Sequence, residues 1–457
     1  MIIFGYFYRF LYYLQHLFVK GVRYLGNDII YQSFSTIHHR LENIHPRWFL
    51  FGFIACILLI YFYIKIAYPF WNLQPVYHSY DFWRKWSSSP FIIQKNVPMK
   101  TKFCNFENIQ TYDYLDLQDD EIEKMVDLLI SNYIPSDQVL FTVTKKHIND
   151  YFTGQNYASL FSIYYEKHYN YGELGIDGNP EKKEKQLEYT NVPIGIITSR
   201  SVSIFVLNKN EYTKYPCYYW DYLCVKRELK HKKLSRNIIQ THEYNQRIKN
   251  PGVLISLFKK EEELSYGIVP IVKYTSYTFQ IPTMKFDKLP EHCVMVQINK
   301  TNFGDFVDFL YTFLKNSKVI QFSAISDIGS LKNLIETNNI YVYLLKKQKH
   351  VLGMYIFKDA KVQYENDDGC AIQCIGSVLN CNNIRLFYLG FLHSLQMITW
   401  KTHYKIVLFE NIAHNTYIWD FFRTINKDIM EQQNAYYLYN FVVPGSPLSD
   451  KDCLILL

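Results

Sequence analysis

The sequence has no cysteine pair spaced to bind a metal or to form a disulfide framework. Its nine cysteines are scattered through 457 residues, are odd in number, and include no Cys-x-x-Cys motif. Cys370 and Cys374 lie four residues apart, but no histidine stands at the spacing of a zinc site. Reduced thiols in a cytosolic interior explain this pattern better than metal binding or disulfides do. We therefore predict no metal site.

The sequence also lacks a concentration of charge of either sign. It carries 49 Lys and Arg against 42 Asp and Glu, a net charge of +7, and the two signs are mixed along the chain. Nucleic-acid-binding domains usually carry a basic stripe or zinc-finger spacing, so we predict no nucleic-acid partner. A mildly basic surface suits a phosphate-bearing ligand or an anionic membrane equally well.

One long apolar run stands near the N-terminus. Residues 48–64 (WFLFGFIACILLIYFYI) contain no charge, and the run continues past Lys65 to Tyr68. Because a spanning helix needs about 20 residues, we predict a transmembrane helix over residues 48–68 in an integral membrane protein. Residues 1–47 are predicted to be an amphipathic juxtamembrane segment, whose first 24 residues either lie in the interface or form a hairpin with that helix. A buried core helix is the alternative for the apolar run.

Mixed helices and strands follow the apolar run. Amphipathic periodicity predicts helices over residues 110–131, 227–248, 303–316 and 385–399. Runs rich in β-branched and aromatic residues predict strands over residues 159–166, 192–206, 215–225, 253–258, 340–357 (a hairpin), 371–377, 404–410, 435–443 and 453–457. Pro282 and Pro290 mark a boundary, after which the pattern restarts. The sequence thus predicts an α+β fold of two lobes, residues 69–285 and 286–457.

The most informative stretch is a strand, a basic turn and a helix at residues 218–240 (YYWDYLCVKRELKHKKLSRNIIQ). The first N–H groups of a helix have no internal partners and carry partial positive charge. A pyrophosphate can bind there, assisted by Lys230, Lys232 and Lys233. On these residues alone, a solvated basic helix start explains the cluster at least as well.

This stretch resembles the acyl-CoA-binding segment of N-myristoyltransferases, the enlarged members of the GCN5-related N-acetyltransferase superfamily. The family pattern N-F-L-C-V, followed by L-R-S-K-R-V-A, is matched by residues 221–225 (DYLCV) and 229–235 (LKHKKLS) at the same spacing. Three further stretches match family motifs in the right order: residues 68–76 (YPFWNLQPV), 112–134 (YDYLDLQDDEIEKMVDLLISNYI) and 435–446 (AYYLYNFVVPGS). The resemblance covers residues 68–457.

The resemblance implies two tandem acyl-CoA N-acyltransferase lobes around a central saddle-like sheet. The N-terminal lobe would bind acyl-CoA and the C-terminal lobe the peptide. The acyl-CoA contacts that it implies are Tyr68, Phe70, Trp71, Val225, Lys230, His231, Lys232, Lys233, Leu234 and Ser235. No cofactor would be bound permanently, because myristoyl-CoA is a co-substrate in this family.

The resemblance also implies a reaction, the transfer of a long acyl group, typically myristoyl, from CoA to the N-terminal glycine amine of a protein. An α-amine is mostly protonated near neutral pH, so a general base is needed. In the family this base is the C-terminal carboxylate, here that of Leu457. The backbone N–H groups of Tyr222 and Leu223 would form the oxyanion hole.

The match is weakest on the peptide side. The residues that correspond to family peptide contacts are Tyr133, Asp137, Phe141, Val143 and Ser256. Asp137 alone remains of the family's acidic E-D-D-D loop, and Ser256 only approximates the position of its glycine-binding Thr. Two alternatives stay open: a catalytically inactive scaffold that binds acyl-CoA or a peptide, and an acyltransferase for short acyl groups. For the transferase itself, the catalytic domain is predicted to face the cytosol, where acyl-CoA is found.

Overall fold

The computed structural model describes residues 46–134, 136, 139–170, 188–209, 211–261, 267–281, 287–364, 369–400, 402–423 and 429–457. One compact unit ends at Asn72, and a second comprises Leu73–Leu457. Almost all of the predicted juxtamembrane segment, residues 1–47, lies outside the described residues. The predicted lobe boundary at residues 285 and 286 lies outside them as well, so the division into two lobes stays a prediction.

Helix α1, Pro46–Ala67, forms the described part of the first unit. Its side chains are described from Phe51 onwards. Among the described residues, no helix combines the length and the apolar character that crossing a membrane requires. By this measure the predicted transmembrane helix and integral membrane localisation are wrong.

The helices of the second unit cover a large sheet. They are α2 (Phe82–Lys85), α3 (Asp119–Asn132), α4 (Lys145–Phe152), α5 (Ser235–Lys249), α6 (Phe303–Asn316), α7 (Ile328–Glu336), α8 (Ile384–Thr399) and α9 (Asn415–Phe422). Helix α3 begins later than predicted because Ile109–Asp113 pairs with a neighbouring strand instead. Its first turn carries three acids, which suit the positive end of the helix dipole, and its apolar face is buried.

The strands of the second unit agree with the alternating and apolar runs of the sequence. They are β1 (Phe91–Ile92), β2 (Ile109–Asp113), β3 (Val139–Phe141), β4 (Leu160–Asn170), β5 (Glu188–Asn208), β6 (Glu211–Val225), β7 (Ile255–Glu261), β8 (Val272–Gln280), β9 (Cys293–Gln297), β10 (Phe322–Ser326), β11 (Ile340–Lys347), β12 (His350–Tyr364), β13 (Gly369–Leu379), β14 (Tyr404–Glu410), β15 (Met430–Tyr439), β16 (Phe441–Val442) and β17 (Cys453–Leu456).

Fifteen of these strands form one mixed sheet, and β1 pairs with β16 in a separate ribbon. The main path of the large sheet runs β17-β10-β5-β6-β7-β15-β8-β14-β13-β12-β11-β9. The predicted mixed α/β fold is therefore confirmed. The last strand, β17, lies at one end of this path and pairs in parallel with β10, which joins the end of the chain to the long strand β5.

Candidate functional site

Strand β6 is interrupted by a β-bulge near its end. Its register with β5 pairs Thr198 with Asp221 and Ile196 with Cys224, so Tyr222 and Leu223 together face a single residue of β5. Tyr222 adopts a left-handed backbone conformation with φ of 48°, which is uncommon for a residue other than glycine. Bulges of this kind free backbone groups from the sheet ladder and often occur next to active sites.

The chain leaves β6 through a basic turn that opens helix α5. Residues 227–232 form a 3-10 helix, and Lys233 then takes a left-handed conformation with φ of 54°. The N–H groups of Arg236 and Asn237 donate back into this turn. By contrast, no described residue accepts a hydrogen bond from the N–H of Leu234 or Ser235. These two donors at the positive end of α5 suit an anionic ligand.

An open cavity of about 240 Å³ lies at this turn, and we call it the β6–α5 cavity. Its lining residues are Asn132, Tyr133, Leu223, Cys224, Val225, Lys230, Leu234 and Ser235. Asn132 also fixes the turn, because its side-chain oxygen accepts the Arg227 N–H at 3.0 Å. The structure thus places Val225, Lys230, Leu234 and Ser235, four of the predicted acyl-CoA contacts, around one cavity.

The other predicted basic contacts lie on the outside of the same turn. His231, Lys232 and Lys233 are exposed and do not line the cavity. Lys230 does line it, and with Arg227 it partly offsets the burial that raises the pKa of Cys224 to about 12. The cavity is therefore bordered by the cation Lys230, with Lys232 and Lys233 outside it, while its buried thiol stays uncharged.

The predicted contacts at residues 68–71 belong to the first unit. The rings of Phe70 and Trp71 meet edge to face with their centroids 5.0 Å apart. The Asn72 N–H donates to the Tyr68 carbonyl at 3.0 Å, which closes the turn after helix α1.

The rest of that motif connects to another predicted motif within the second unit. The side chain of Gln74 donates to Gln240 on helix α5 at 2.8 Å and accepts from the Tyr439 hydroxyl at 2.6 Å. Tyr439 belongs to the stretch YYLYN. Two of the sequence stretches that resemble family motifs thus meet through a single buried glutamine at the base of α5.

The predicted catalytic end of the chain is buried. Leu457 has only 6% of its surface exposed and follows β17, whose four residues are all buried. The Lys358 ammonium on β12 donates to the Leu457 backbone oxygen at 3.4 Å. Burial lowers the pKa of Lys358 to about 8, although nearby Asp221 acts in the opposite direction.

Four charged or polar side chains connect Leu457 with the bulge, and we call them the Lys358 cluster: Tyr151, Arg200, Asp221 and Lys358. Lys358 donates to the Tyr151 hydroxyl at 3.2 Å, and this hydroxyl donates to the Asp221 carboxylate at 2.7 Å. The other Asp221 oxygen accepts the Tyr222 backbone N–H at 2.9 Å. Of the two predicted oxyanion donors, Tyr222 is therefore already engaged, whereas Leu223 has no partner in the β5–β6 register.

The predicted peptide contacts separate into three groups. Tyr133 and Phe141 come together at the bulge, where their rings lie 5.6 and 6.3 Å from the ring of Tyr222. Val143 is fully buried in the core, and Ser256 is buried with its hydroxyl accepting from Gln246 at 2.9 Å. Asp137 lies outside the described residues. A peptide site around Val143 and Ser256 would therefore need these side chains to be uncovered.

The Lys358 cluster was not predicted from the sequence. Two of its members interrupt strands that are otherwise rich in apolar residues, Lys358 in MYIFKDA and Arg200 in IITSRSVSIF. Such an interruption is a signal that could have been used, because buried charges need partners. Asp221 also stands where the family pattern has Asn. Within the described residues, no group of His, Cys, Asp and Glu is arranged to bind a metal ion.

Solved structures of N-myristoyltransferase from Saccharomyces cerevisiae share this fold. One, with bound myristoyl-CoA, has a TM-score of 0.60 at 12% sequence identity and covers 84% of this chain and 94% of its own. Another, with bound myristoyl-CoA and inhibitors, has a TM-score of 0.61 at 12% identity over 84% and 93%. No protein-family model matches the sequence, and no curated protein sequence matches it. The chain therefore has the N-myristoyltransferase fold, as the resemblance implied.

Proposed function

We propose that this protein is an acyl-CoA-dependent N-acyltransferase that moves a long-chain acyl group, myristoyl, to the N-terminal glycine amine of a peptide or protein. The observation that carries the proposal is the meeting of three features in this fold. The β6–α5 cavity lies beside the bulge, and the bulge is linked to the buried Leu457 by a continuous series of hydrogen bonds. These are the parts that acyl transfer to an amine requires.

Acyl-CoA would bind with its phosphates at the start of helix α5. The Leu234 and Ser235 N–H groups supply unpaired donors, and Lys230 supplies a charge. The thioester would then lie along Leu223 and Val225, next to the bulge. The similar yeast structures hold myristoyl-CoA, which supports a long acyl chain as the donor. We retain the division into an acyl-CoA lobe and a peptide lobe as part of this proposal.

In the reaction, the Leu457 carboxylate would take a proton from the glycine ammonium. The neutral amine would attack the thioester carbonyl carbon, and its oxygen would become an oxyanion held by the Leu223 N–H. When the C–S bond breaks, the electron pair leaves with sulfur, the nitrogen passes its remaining extra proton to that sulfur to give CoA thiol, and the amide forms. The Leu457 carboxylic acid then releases its proton to solvent. The Tyr222 N–H can donate to the oxyanion as well only if its hydrogen bond to Asp221 is broken.

The proposal is tested with purified protein, myristoyl-CoA and a peptide that begins with glycine, with mass spectrometry as the readout. We expect myristoylated peptide and free CoA in equal amounts. A peptide whose N-terminal amine is acetylated is the matched control and should not react. Acetyl-CoA in competition tests the short-chain alternative, which gains support if acetyl transfer is the faster reaction.

A second candidate function is an acyl-CoA-binding scaffold without turnover. It is favoured by two hydrogen bonds: the Tyr222 N–H donates to Asp221, and the Ser256 hydroxyl accepts from Gln246. Acyl transfer would need both of these groups to be available. Calorimetry with a non-hydrolysable myristoyl-CoA analogue separates the two functions. Binding of the analogue without product from any glycine peptide would support the scaffold and contradict the transferase.

A further inference from the structure

Lys358 occupies an unusual position in the sheet. It lies on β12 directly after the buried Phe357 and is itself half-buried, with its ammonium turned toward the end of the chain. Its ammonium contacts the Leu457 oxygen at 3.4 Å and the Tyr151 hydroxyl at 3.2 Å. A cation in this position is costly unless anionic or polar partners surround it. Lys358 therefore needs the partners that it contacts.

Tyr151 extends the contacts of Lys358 to the bulge. Two cations contact its ring, with Lys358 Nζ 4.7 Å and the Arg200 guanidinium 4.5 Å from the ring centroid. Its hydroxyl donates to Asp221, which in turn holds the Tyr222 N–H. The position of Lys358 is thus coupled to the backbone of the bulge through two side chains.

Arg200 also contacts the end of the chain, through the side chain of Ser326. It is fully buried on β5 and donates to the Ser326 hydroxyl at 2.7 Å. Ser326 donates in turn to the Leu456 carbonyl at 3.2 Å. The last two residues are therefore fixed by two cations, one acting directly on Leu457 and one acting through a serine on Leu456.

The charges around Lys358 come from several elements. Asp221 on β6 and Glu410 on β14 favour its protonated form, while Arg200 on β5 and Lys259 on β7 oppose it. His147 on α4 stays neutral, because burial and the charges of Lys361 and Lys358 lower its pKa to about 3. Tyr151 stays protonated, since burial raises its pKa. Lys358 and Asp221 are thus neighbouring opposite charges, at a place where the family pattern has a neutral Asn in the Asp221 position.

We propose that Lys358 is a positioning residue that holds the Leu457 carboxylate toward the bulge and is matched to Asp221 as a charge pair. This inference rests on the proposed function. Its consequence is electrostatic, because a cation beside the incoming glycine ammonium disfavours the charged form of that amine. Lys358 thereby lowers the pH at which the amine becomes a nucleophile, and it keeps the carboxylate ionised at the same time.

The first test measures the pH dependence of peptide acylation for wild type, K358M and K358R in the full chain. In K358M we expect kcat at neutral pH to fall about tenfold or more. The acidic side of the pH–rate profile, where the rate rises with pH, should move up by about one pH unit. The KM for myristoyl-CoA should stay within about twofold, because the cavity residues are unchanged. K358R should keep the wild-type position of the acidic side of the pH–rate profile. An unchanged acidic side in folded K358M would overturn the proposal.

The second test separates failure of this inference from failure of the proposed function. If the wild-type protein has no transferase activity, the proposed function is contradicted. The interaction between Lys358 and Asp221 can still be measured from the thermal stability of K358M, D221N and the double variant. We expect the double variant to be more stable than D221N alone, since it removes the Lys358 cation that D221N leaves without its opposite charge. Additive effects of the two substitutions would overturn the pair. If K358M does not fold, K358Q replaces it in both tests.

Discussion

The β6–α5 cavity and the Lys358 cluster are adjacent parts of one site that are built in opposite ways. Six of the eight residues that line the cavity come from residues 223–235, and the other two end helix α3. The Lys358 cluster takes its four members from four elements, α4, β5, β6 and β12, and connects them to β17. The cavity is thus a local structure, and the cluster exists only when the sheet is complete.

This difference predicts different responses to change. A local structure keeps its shape as long as the turn and helix form, so substitutions there should alter ligand affinity. A cluster assembled from distant strands depends on the position of each strand, so substitutions there should alter the rate of reaction. The following experiments test that separation.

The largest effect is expected from neutralising the end of the chain. Because Cys453 begins the last five residues, the chain can be completed by native chemical ligation with a synthetic CLILL peptide that ends in a carboxamide. We expect kcat to fall by about 100-fold to 10,000-fold relative to the same chain ligated with the free acid, since a general base is lost. Affinity for myristoyl-CoA should stay the same. Turnover by the amide equal to that of the acid would exclude Leu457 as the base.

A smaller effect is expected at the cavity, where acyl-CoA affinity and not the reaction rate should change. Reversing the charge in Lys230→Glu should weaken myristoyl-CoA binding by about tenfold or more, because a charge-assisted contact is replaced by repulsion of phosphate. The kcat at saturating acyl-CoA should change little. Lys315→Glu, at an exposed position on α6, is the matched control. Calorimetry measures both, and equal affinities for the two variants would remove Lys230 from the phosphate site.

A moderate effect on rate is expected from a change that moves the terminal strand. A methyl group at Gly376 would lie 2.9 Å from Leu456 Cδ2, whereas one at Gly252 would meet nothing within 4 Å. Gly376→Ala should therefore displace β17, lowering stability by about 1 kcal/mol and kcat by several fold. Gly252→Ala should leave both unchanged. A Gly376→Ala enzyme with normal kcat would show that small shifts of Leu457 are tolerated.

The smallest effect concerns stability and not the site. Burial lowers the pKa of His242 to about 3, from 6.5 in the unfolded chain. Between these values the unfolded state binds a proton that the folded state does not, so stability present above pH 6.5 is lost as the pH falls. In melts at pH 7 and pH 5, His242→Gln should lose less stability than wild type does. Exposed His168→Gln is the control, and an equal loss in all three proteins would contradict a neutral buried His242.

The sequence predicted the cavity better than the cluster for a physical reason. The turn after β6 is a short stretch whose residues touch one another, so the family motif that residues 221–235 resemble was enough to group Val225, Lys230 and Ser235. Lys358 and Tyr151 are more than 200 positions apart, and only the pairing of strands brings them within 3.2 Å. A single sequence carries no record of that pairing. The transmembrane prediction rested on one apolar run, and no described helix combines the length and the apolar character that crossing a membrane requires.

Tyr222 places one further constraint on the protein. A left-handed backbone costs roughly 1–2 kcal/mol for a residue with a Cβ atom, and glycine would avoid that cost. The tyrosine ring, however, lies among Tyr133, Phe141 and Tyr151 and fills the space between the bulge and its surroundings. The backbone conformation at position 222 therefore favours glycine, whereas the packing around it favours a large aromatic side chain. Selection for heat resistance alone would sample replacements at this position, and the variants recovered would show which of the two effects contributes more to stability.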